Sequence, residues 1–222
     1  MTSRPTIPQF PGQPRKNDAL FVYGALQALP WVLAYAQERA EVVHGPSCVP
    51  EREICLERCS EDGVPVIARR GGGGTVVLMP GVVVVVVVGA RAAGEGPRDI
   101  FTRVHTALIE SLDIDTPRIE QCGLSDLAID GRKVLGSSLY LPQRPYLYCY
   151  QSSLLVDADV SPISRYLAHP PKEPAYRAGR PHNAFCTTLA AEGIGLSVEE
   201  VCRRVGTRLG ALVSAQAADI AD

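Results

Sequence analysis

Features that mark several classes of protein are scarce or missing in this chain. It has no block of basic residues, and its formal net charge is −2 over 222 residues, so nothing indicates a nucleic-acid surface. Roughly 18–20 consecutive apolar residues are needed to span a bilayer. The longest apolar run here, Val82–Val88, consists of seven valines. We therefore expect neither a nucleic-acid partner nor a membrane-spanning segment.

The seven cysteines lack the spacing of a zinc site. Cys55 and Cys59 lie one helical turn apart, but no second pair follows them. The chain begins with a polar, proline-rich stretch without the apolar core of a secretion signal. We therefore expect a flexible arm at residues 1–16, a cytoplasmic protein, reduced thiols that mostly serve in packing, and no metal site.

Helical and strand patterns alternate without a regular βαβ repeat. Helices are expected at 17–29, 50–60, 98–112, 160–168 and 197–217. Strands are expected at 31–37, 41–44, 64–69, 75–79 and 82–89, with further short strands between 118 and 157. Mixed order of this kind favours an α+β fold, with mixed and mainly antiparallel sheets flanked by helices.

Three local patterns add detail to this outline. Asp130-Gly131 is the strongest hairpin signal in the chain. Ser197 and Glu200 have the spacing of a capping box at the start of the last helix. The valine strand has no polar side, so we expect it to be buried on both faces.

A glycine-rich segment joins two of the expected strands. Arg69 and Arg70 precede four consecutive glycines, Gly71–Gly74. Walker and dinucleotide loops need a helix N-terminus behind the phosphate, so this loop belongs to neither type. A glycine loop between strands can still surround a ligand with its backbone N–H groups. The alternative is a tight turn, which needs only one or two glycines.

A second segment, DGRKVLGSS, places a lysine directly after the expected hairpin. The Lys133 ammonium could bind a carboxylate or phosphate oxygen, and Gly136, Ser137 and Ser138 are small enough to let a ligand or backbone approach. A solvated loop charge is the alternative interpretation. The residues alone leave both open.

Three stretches together resemble one family. The first stretch has the family's order of strand, Gly, loop, helix, strand, RRxxGGG and a Pro-Gly turn, in VVHGPSCVPEREICLERCSEDGVPVIARRGGGGTVVLMPG. The second, SDLAIDGRKVLGSSLY, is similar to the family segment ND-x-x-x-x-GRK-x-x-GSA. The third, SSLLVDADVSPISRYL, is similar to GTLL-x-x-x-DL. Between about Asn17 and Leu189 the chain thus resembles the lipoate–protein ligase and octanoyltransferase family, whose catalytic fold is shared with biotin protein ligases. The resemblance implies a single class II biotin/lipoyl ligase-like catalytic domain over residues 17–222, without a C-terminal accessory domain.

The resemblance also implies an activity. Lipoate or octanoate would be adenylated with ATP and Mg²⁺ and transferred to a lysine of a lipoyl-acceptor carrier domain; a separate accessory subunit is a further expected partner. Lys133 would be the catalytic residue, with its charge directed at the acyl carbonyl and α-phosphate rather than at a structural partner. The implied nucleotide- and acyl-binding residues are Arg70, Gly72, Gly73, Gly74, Thr75, Val76, Val77, Gly136, Ser137 and Ser138.

The chain departs from the family at several polar positions. After the glycines, where the family has Tyr/Phe-His-Asp, this chain has Val77, Leu78 and Met79. After Pro-Gly, where the family has Asn, it has Val82. The family's His-His-Gly-Thr is replaced by residues 150–153. We therefore expect a pocket that is more apolar than is usual in the family and that prefers a hydrophobic acid.

Other members of the family keep alternative functions open. The basic loop at residues 169–182, with Lys172, Arg177 and Arg180, resembles the ligase branch, in which such a loop helps to cover the adenylate. In a cysteine-dependent octanoyltransferase that takes its acyl group from acyl carrier protein, Cys122 would be the nucleophile, with Cys149 a weaker candidate. A non-catalytic acyl-binding protein is a third alternative, and a biotin ligase fits the motif order less well.

Overall fold

The computed structural model of the protein describes residues 31–92, 94–113, 118–143 and 147–221, with side chains as far as residue 214. The strands are β1 (Trp31–Ala36), β2 (Glu41–His44), β3 (Val66–Ala68), β4 (Val76–Leu78), β5 (Val82–Ala90), β6 (Ile119–Cys122), β7 (Asp126–Ile129), β8 (Arg132–Tyr140) and β9 (Leu147–Leu155). The helices are α1 (Pro50–Glu53), α2 (Leu56–Glu61), α3 (Pro97–Leu112), α4 (Ser161–Tyr166), α5 (His182–Phe185) and α6 (Val198–Ala221), and a 3-10 turn spans Ala175–Arg177. The arm expected at 1–16 and the helix expected at 17–29 lie outside the described residues.

The larger sheet has the order β1-β5-β9-β8-β7-β6, and all its neighbouring strands are antiparallel. The valines of β5 are at most 2% exposed. Val83, Val85 and Val87 pack in one core with α3 and α6, whereas Val84 and Val86 pack in a second core with β2 and β4. Burial of the valine strand on both faces, as predicted, places β5 between the two cores.

A smaller sheet covers the second face, in the order β3-β2-β4. Strand β2 runs parallel to β3 and antiparallel to β4. The connection from β3 to β4 therefore crosses the end of β2, and this connection contains the four glycines. Helix α4 packs against α2 and β4 on the same side of the molecule.

Helices α3 and α6 cover the opposite face of the larger sheet. The buried side of α3 includes Ile100, Val104 and Leu108. At the start of α6, the Glu200 N–H donates to Ser197 Oγ over 3.2 Å, but the Glu200 carboxylate binds arginines of its own helix, so only half of the predicted capping box forms. No helix in the described ranges is both long and apolar enough to cross a membrane.

The predicted α+β class is confirmed, and one predicted helix is wrong in detail. Residues 50–60 form two short helices, because Ile54 is extended (φ −125°, ψ 134°) and pairs with Leu167 in an isolated bridge. The Cys55 N–H donates to the Tyr166 carbonyl over 2.8 Å. These two contacts with the end of α4 break the helix and bury Ile54.

Candidate active site

A cavity of about 360 Å³ lies where β8 and β9 of the larger sheet face the smaller sheet, beside α4 and the loop that follows it. One part of its wall is apolar and includes Val43, Val77, Leu78, Leu155 and Leu167. The other part is formed by the glycine loop, by small residues of β8 and by charged side chains. The cavity thus combines an apolar wall with a polar region.

Most of the residues predicted from the sequence meet in this cavity. Its lining includes Gly73, Gly74, Thr75, Val76, Val77, Lys133, Gly136, Ser137 and Ser138. Arg70 and Gly72 lie outside the lining. Arg70 is exposed, and its guanidinium is 5.7 Å from the ring centre of Tyr140. The exposed Gly72 donates its N–H to the Leu139 carbonyl over 3.4 Å and so ties the loop to β8.

Of the two consecutive arginines, Arg69 lines the cavity and Arg70 does not. Arg69 is 5% exposed and donates to the carbonyl oxygens of Val43 (3.1 Å), Gly72 (3.0 Å) and Gly74 (2.7 Å). Burial lowers the pKa of Arg69 to about 10. Successive side chains of an extended chain point to opposite sides. The alternation therefore indicates that one of the two arginines faces inward, but it does not show which one.

Lys133 forms a salt bridge at the edge of the cavity. Its Nζ lies 2.8 Å from Oδ1 of the buried Asp126, whose Oδ2 accepts a hydrogen bond from Tyr176 Oη over 2.9 Å. The expectation that the Lys133 charge has no structural partner is therefore wrong. An ammonium has three N–H donors, so the salt bridge orients Lys133 and leaves donors for a ligand. Burial, followed by the Asp126 carboxylate, raises the pKa of Tyr176.

Gly136 provides the space that Lys133 occupies. A Cβ atom at this position would lie 2.9 Å from both Cε and Nζ of Lys133. At the next residue of the same strand segment, the Ser137 carbonyl oxygen would lie 3.7 Å from a Cβ at Gly73. The β8 segment from Gly136 to Ser138 is therefore contacted by Lys133 and by the glycine loop, and it brings the two predicted motifs together.

The cysteine in the cavity lining is Cys186, not the predicted Cys122. Cys186 follows α5 and pairs with Lys133 in an isolated bridge, and burial raises the pKa of its thiol although Lys133 and Arg177 oppose this rise. Cys122 lies on β6, where its Sγ is 3.8 Å from Glu120 Oε1; burial and this carboxylate raise its pKa. Cys149, the weaker candidate, is buried in β9 and also lies outside the lining.

The basic loop closes one side of the cavity through Lys172, Arg177 and His182. Arg177 is 4% exposed, and its guanidinium lies 4.8 Å from the ring centre of Phe185. Arg180 is outside the lining and donates to the Gly131 and Tyr176 carbonyls, each over 2.7 Å. Arg180 therefore fixes the loop to the hairpin that precedes Lys133. Burial lowers the pKa of His182.

Comparison with known proteins agrees with this arrangement of motifs. Residues 22–210 match the family model of the lipoyl protein ligase A/B catalytic domain. A search of curated proteins gives no match. Solved structures with a similar fold include a bipartite lipoate protein ligase from Thermoplasma acidophilum, described with its E2 lipoyl domain (TM-score 0.73, 19% identity, 88% of this chain and 76% of that chain). They also include a lipoate-protein ligase A bound with ATP (0.71, 18%, 88% and 78%) and P. falciparum LipL1 in complex with lipoate (0.67, 16%, 90% and 56%).

Identities below 20% establish a shared fold rather than a shared substrate. The family model, in contrast, spans most of the chain and includes the glycine loop, the Lys133 hairpin and the strand β9 that leads to α4. The resemblance seen in the sequence is thereby confirmed, and the protein belongs to the family of the lipoyl protein ligase A/B catalytic domain.

Proposed function

We propose that this protein adenylates a medium-chain carboxylic acid, lipoate or octanoate, with ATP and transfers the acyl group to a lysine of a lipoyl domain. The observation that carries the proposal is the cavity itself, in which a glycine loop and an oriented ammonium adjoin an apolar wall. Relatives with this fold have been solved with ATP and with lipoate, and one has been described with its lipoyl domain.

The apolar wall suits the hydrocarbon part of such an acid. Val77 and Leu78 hold places that are polar elsewhere in the family, and both line the cavity. Burial of one methylene group is worth about 0.8 kcal/mol. A chain of six methylenes would gain on the order of 5 kcal/mol against this wall, enough to favour an aliphatic acid over a short polar one.

The polar region suits the reacting groups. In the first step the acid's carboxylate attacks the α-phosphorus of ATP, an acyl-adenylate forms and pyrophosphate leaves. In the second step the acceptor's lysine attacks the acyl carbonyl, and AMP leaves. Negative charge increases on the phosphoryl oxygens in the first step and on the carbonyl oxygen in the second, in which the attacking amine also loses a proton to solvent. A fixed donor such as the Lys133 ammonium, held by Asp126, stabilises that charge without having to reorganise.

Mg²⁺ is the expected companion of ATP. It commonly binds one or two carboxylates together with substrate phosphates. Among the described residues that line the cavity, the carboxylates are those of Glu53 and Asp126, and Asp126 is already bound by Lys133 and Tyr176. Within the described ranges no group of three or more histidine, cysteine, aspartate or glutamate side chains could hold a metal ion.

The proposal is tested by incubating the protein with octanoate or lipoate, ATP and a lipoyl domain. We expect pyrophosphate release that depends on the acid, together with an acceptor mass increased by one acyl group. A lipoyl domain with arginine in place of its acceptor lysine is the control. Pyrophosphate release without acylation would indicate a separate accessory subunit, as in the bipartite relative. Binding of the acid without either product would instead favour a non-catalytic acyl-binding protein.

The position of Cys186 supports a second candidate, a cysteine-dependent octanoyltransferase. Its thiol would attack the thioester of octanoyl-carrier protein, release the carrier thiol and hold the octanoyl group as a new thioester. Mass spectrometry after mixing with octanoyl-carrier protein distinguishes the candidates, because only the transferase forms the adduct. The adduct should be lost in Cys186→Ser and kept in Cys122→Ser. A ligase should retain activity in both variants.

A further inference from the structure

Arg69 is a buried cation whose hydrogen bonds all go to backbone carbonyl oxygens. Among the described residues it forms no salt bridge, and its Nε has no hydrogen-bond partner. Burial of a charge without a counter-charge is unfavourable. The hydrogen bonds of Arg69 join Val43 of β2 to the glycine loop, so an apolar side chain here would leave those carbonyl oxygens without this donor. Arg69 thus holds the shape of the loop, and its missing counter-charge calls for an explanation.

The geometry of the peptide bond supplies one. In a trans peptide unit the C=O of one residue and the N–H of the next point in opposite directions. The Gly72 and Gly74 carbonyls both point to Arg69. The N–H groups of Gly73 and Thr75 must then point away from Arg69. Within the described part of the chain, neither N–H donates a hydrogen bond.

The loop is held in this shape from both sides. Gly73 has φ 98°, a conformation that side chains disfavour. A Cβ at Gly45 would lie 2.5 Å from the Gly73 carbonyl oxygen, so a glycine at the end of β2 is needed for the close approach. Successive N–H groups around a residue with positive φ form concave sites for anions. Here the two N–H groups belong to residues that line the cavity.

We infer that Arg69 is a positioning residue, which orients the peptide units of the glycine loop so that the Gly73 and Thr75 N–H groups bind a phosphate or other oxyanion in the cavity. The inference rests on the proposed function for the identity of that anion as a phosphate of the nucleotide. The bound anion would lie across the loop from the guanidinium and would supply the counter-charge that Arg69 lacks. The peptide units Gly72–Gly73 and Gly74–Thr75, polarised by the cation, would transmit the attraction.

Proton–nitrogen NMR of the full chain tests this directly, with inorganic pyrophosphate and ATP as probes. We expect the Gly73 and Thr75 amide protons to shift downfield on titration, since each acquires a charge-assisted hydrogen bond. The Gly72 amide, which donates to Leu139, is the internal control and should shift much less. In Arg69→Gln, pyrophosphate should bind about tenfold more weakly or worse, and Arg69→Lys should restore part of the loss. Arg203→Gln, which removes an exposed arginine, should bind like the wild type.

The outcomes separate this inference from the proposed function. If ATP shifts amides around Lys133 but not those of Gly73 and Thr75, the inference is wrong and the adenylation proposal stands. If pyrophosphate shifts both loop amides but acid, ATP and protein release no pyrophosphate, the inference stands and adenylation fails. If Arg69→Gln unfolds, the wild-type titration decides whether the loop binds the anion, and Arg69→Lys decides the role of Arg69, because its pyrophosphate affinity should lie below that of the wild type. Equal affinity in wild type and a folded Arg69→Gln would show that Arg69 has only a structural role.

Discussion

Lys133 and Asp126 meet on the same side of Gly136, with Nζ and Oδ1 2.8 Å apart. The pair arises from the register of one hairpin, in which Asp126 lies opposite Gly136 and a β-bulge follows at Leu127 and Ala128. The Lys133 side chain extends forward along its own strand, over Gly136, to the carboxylate. The salt bridge limits the positions available to the ammonium, and the predictions for this part of the site follow from that restriction.

Lys133→Ala should abolish most acyl transfer while leaving the protein folded. Loss of a positioned charge-assisted donor in a closed site raises the barrier by about 3 kcal/mol, which is roughly a hundredfold in rate. Asp126 keeps its hydrogen bond from Tyr176, so the core nearby should persist. Pyrophosphate release and melting temperature should be measured on the same sample. A near wild-type rate would show that this lysine has no catalytic role.

Asp126→Asn should reduce the rate less than removal of the lysine, by about tenfold. The ammonium remains but is no longer held by an opposite charge, so it visits unproductive positions more often. The effect should fall on kcat with little change in the KM for ATP. A loss as large as that of Lys133→Ala would mean that Asp126 contacts the substrate or its metal ion directly. An unchanged kcat would mean that the carboxylate serves stability alone.

Gly136→Ala tests the same geometry from the backbone. The new methyl group would meet the flexible end of Lys133 at 2.9 Å, so the side chain must move while the strand stays in place. We expect a rate between those of wild type and Lys133→Ala, with a nearly unchanged melting temperature. Gly195→Ala is the matched control, because a Cβ there meets no atom within 4 Å. Full activity of Gly136→Ala would show that the position of Lys133 in the salt bridge is not the active one.

His105 provides a prediction about pH. It is buried between Phe101 and Tyr150, and its Nε2 lies 3.1 Å from Ser137 Oγ. Burial lowers the pKa of His105 from its usual 6.5 to about 4. Between these pH values the unfolded chain binds a proton that the folded protein does not, so the stability contributed at this site is lost as the pH falls from about 6.5 towards 4. Carboxylates can add to the same trend.

The variant that isolates this contribution is His105→Phe. Its free energy of unfolding should change less than that of the wild type between pH 7 and pH 4.5, whatever its stability at neutral pH. Urea titrations at both pH values measure the difference. An identical pH dependence in the two proteins would place the proton uptake elsewhere.

Local sequence was sufficient to predict those parts of the fold that depend on neighbouring residues. Asp130 and Gly131 both have positive φ, 48° and 71°, as a two-residue hairpin turn of this type requires. The valine strand was predictable because an element without a polar face has to be buried. The break in the 50–60 helix was not, because it depends on the pairing of Ile54 with Leu167, more than a hundred residues away.

In the candidate site, too, features set by neighbouring residues were predictable and features set by distant residues were not. Most of the residues that the glycine and Lys133 motifs singled out line the cavity, and their roles there stay predictions. The sequence did not predict two features: which of Arg69 and Arg70 faces inward, and the salt bridge of Lys133 with Asp126. Both depend on strand register and on which face of a strand meets the second layer. A shift of one residue changes both, and a single sequence does not fix it.

Gly73→Val should damage ligand binding more than stability. Gly73 has φ 98°, which a β-branched residue adopts only with strain, and its new Cβ would lie 3.3 Å from Arg69 Nη2. The loop should therefore relax to another conformation and lose the orientation of its carbonyl groups toward Arg69. The flanking strands remain anchored, because Val77 and Leu78 of β4 are each 4% exposed and pack in the second core. Calorimetry should show that the wild type binds octanoate or lipoate and that the variant does not, with similar melting temperatures for both. If the variant instead unfolds and the wild type binds neither acid, the glycines form only a structural turn, and the acyl-binding function assigned to this cavity is wrong.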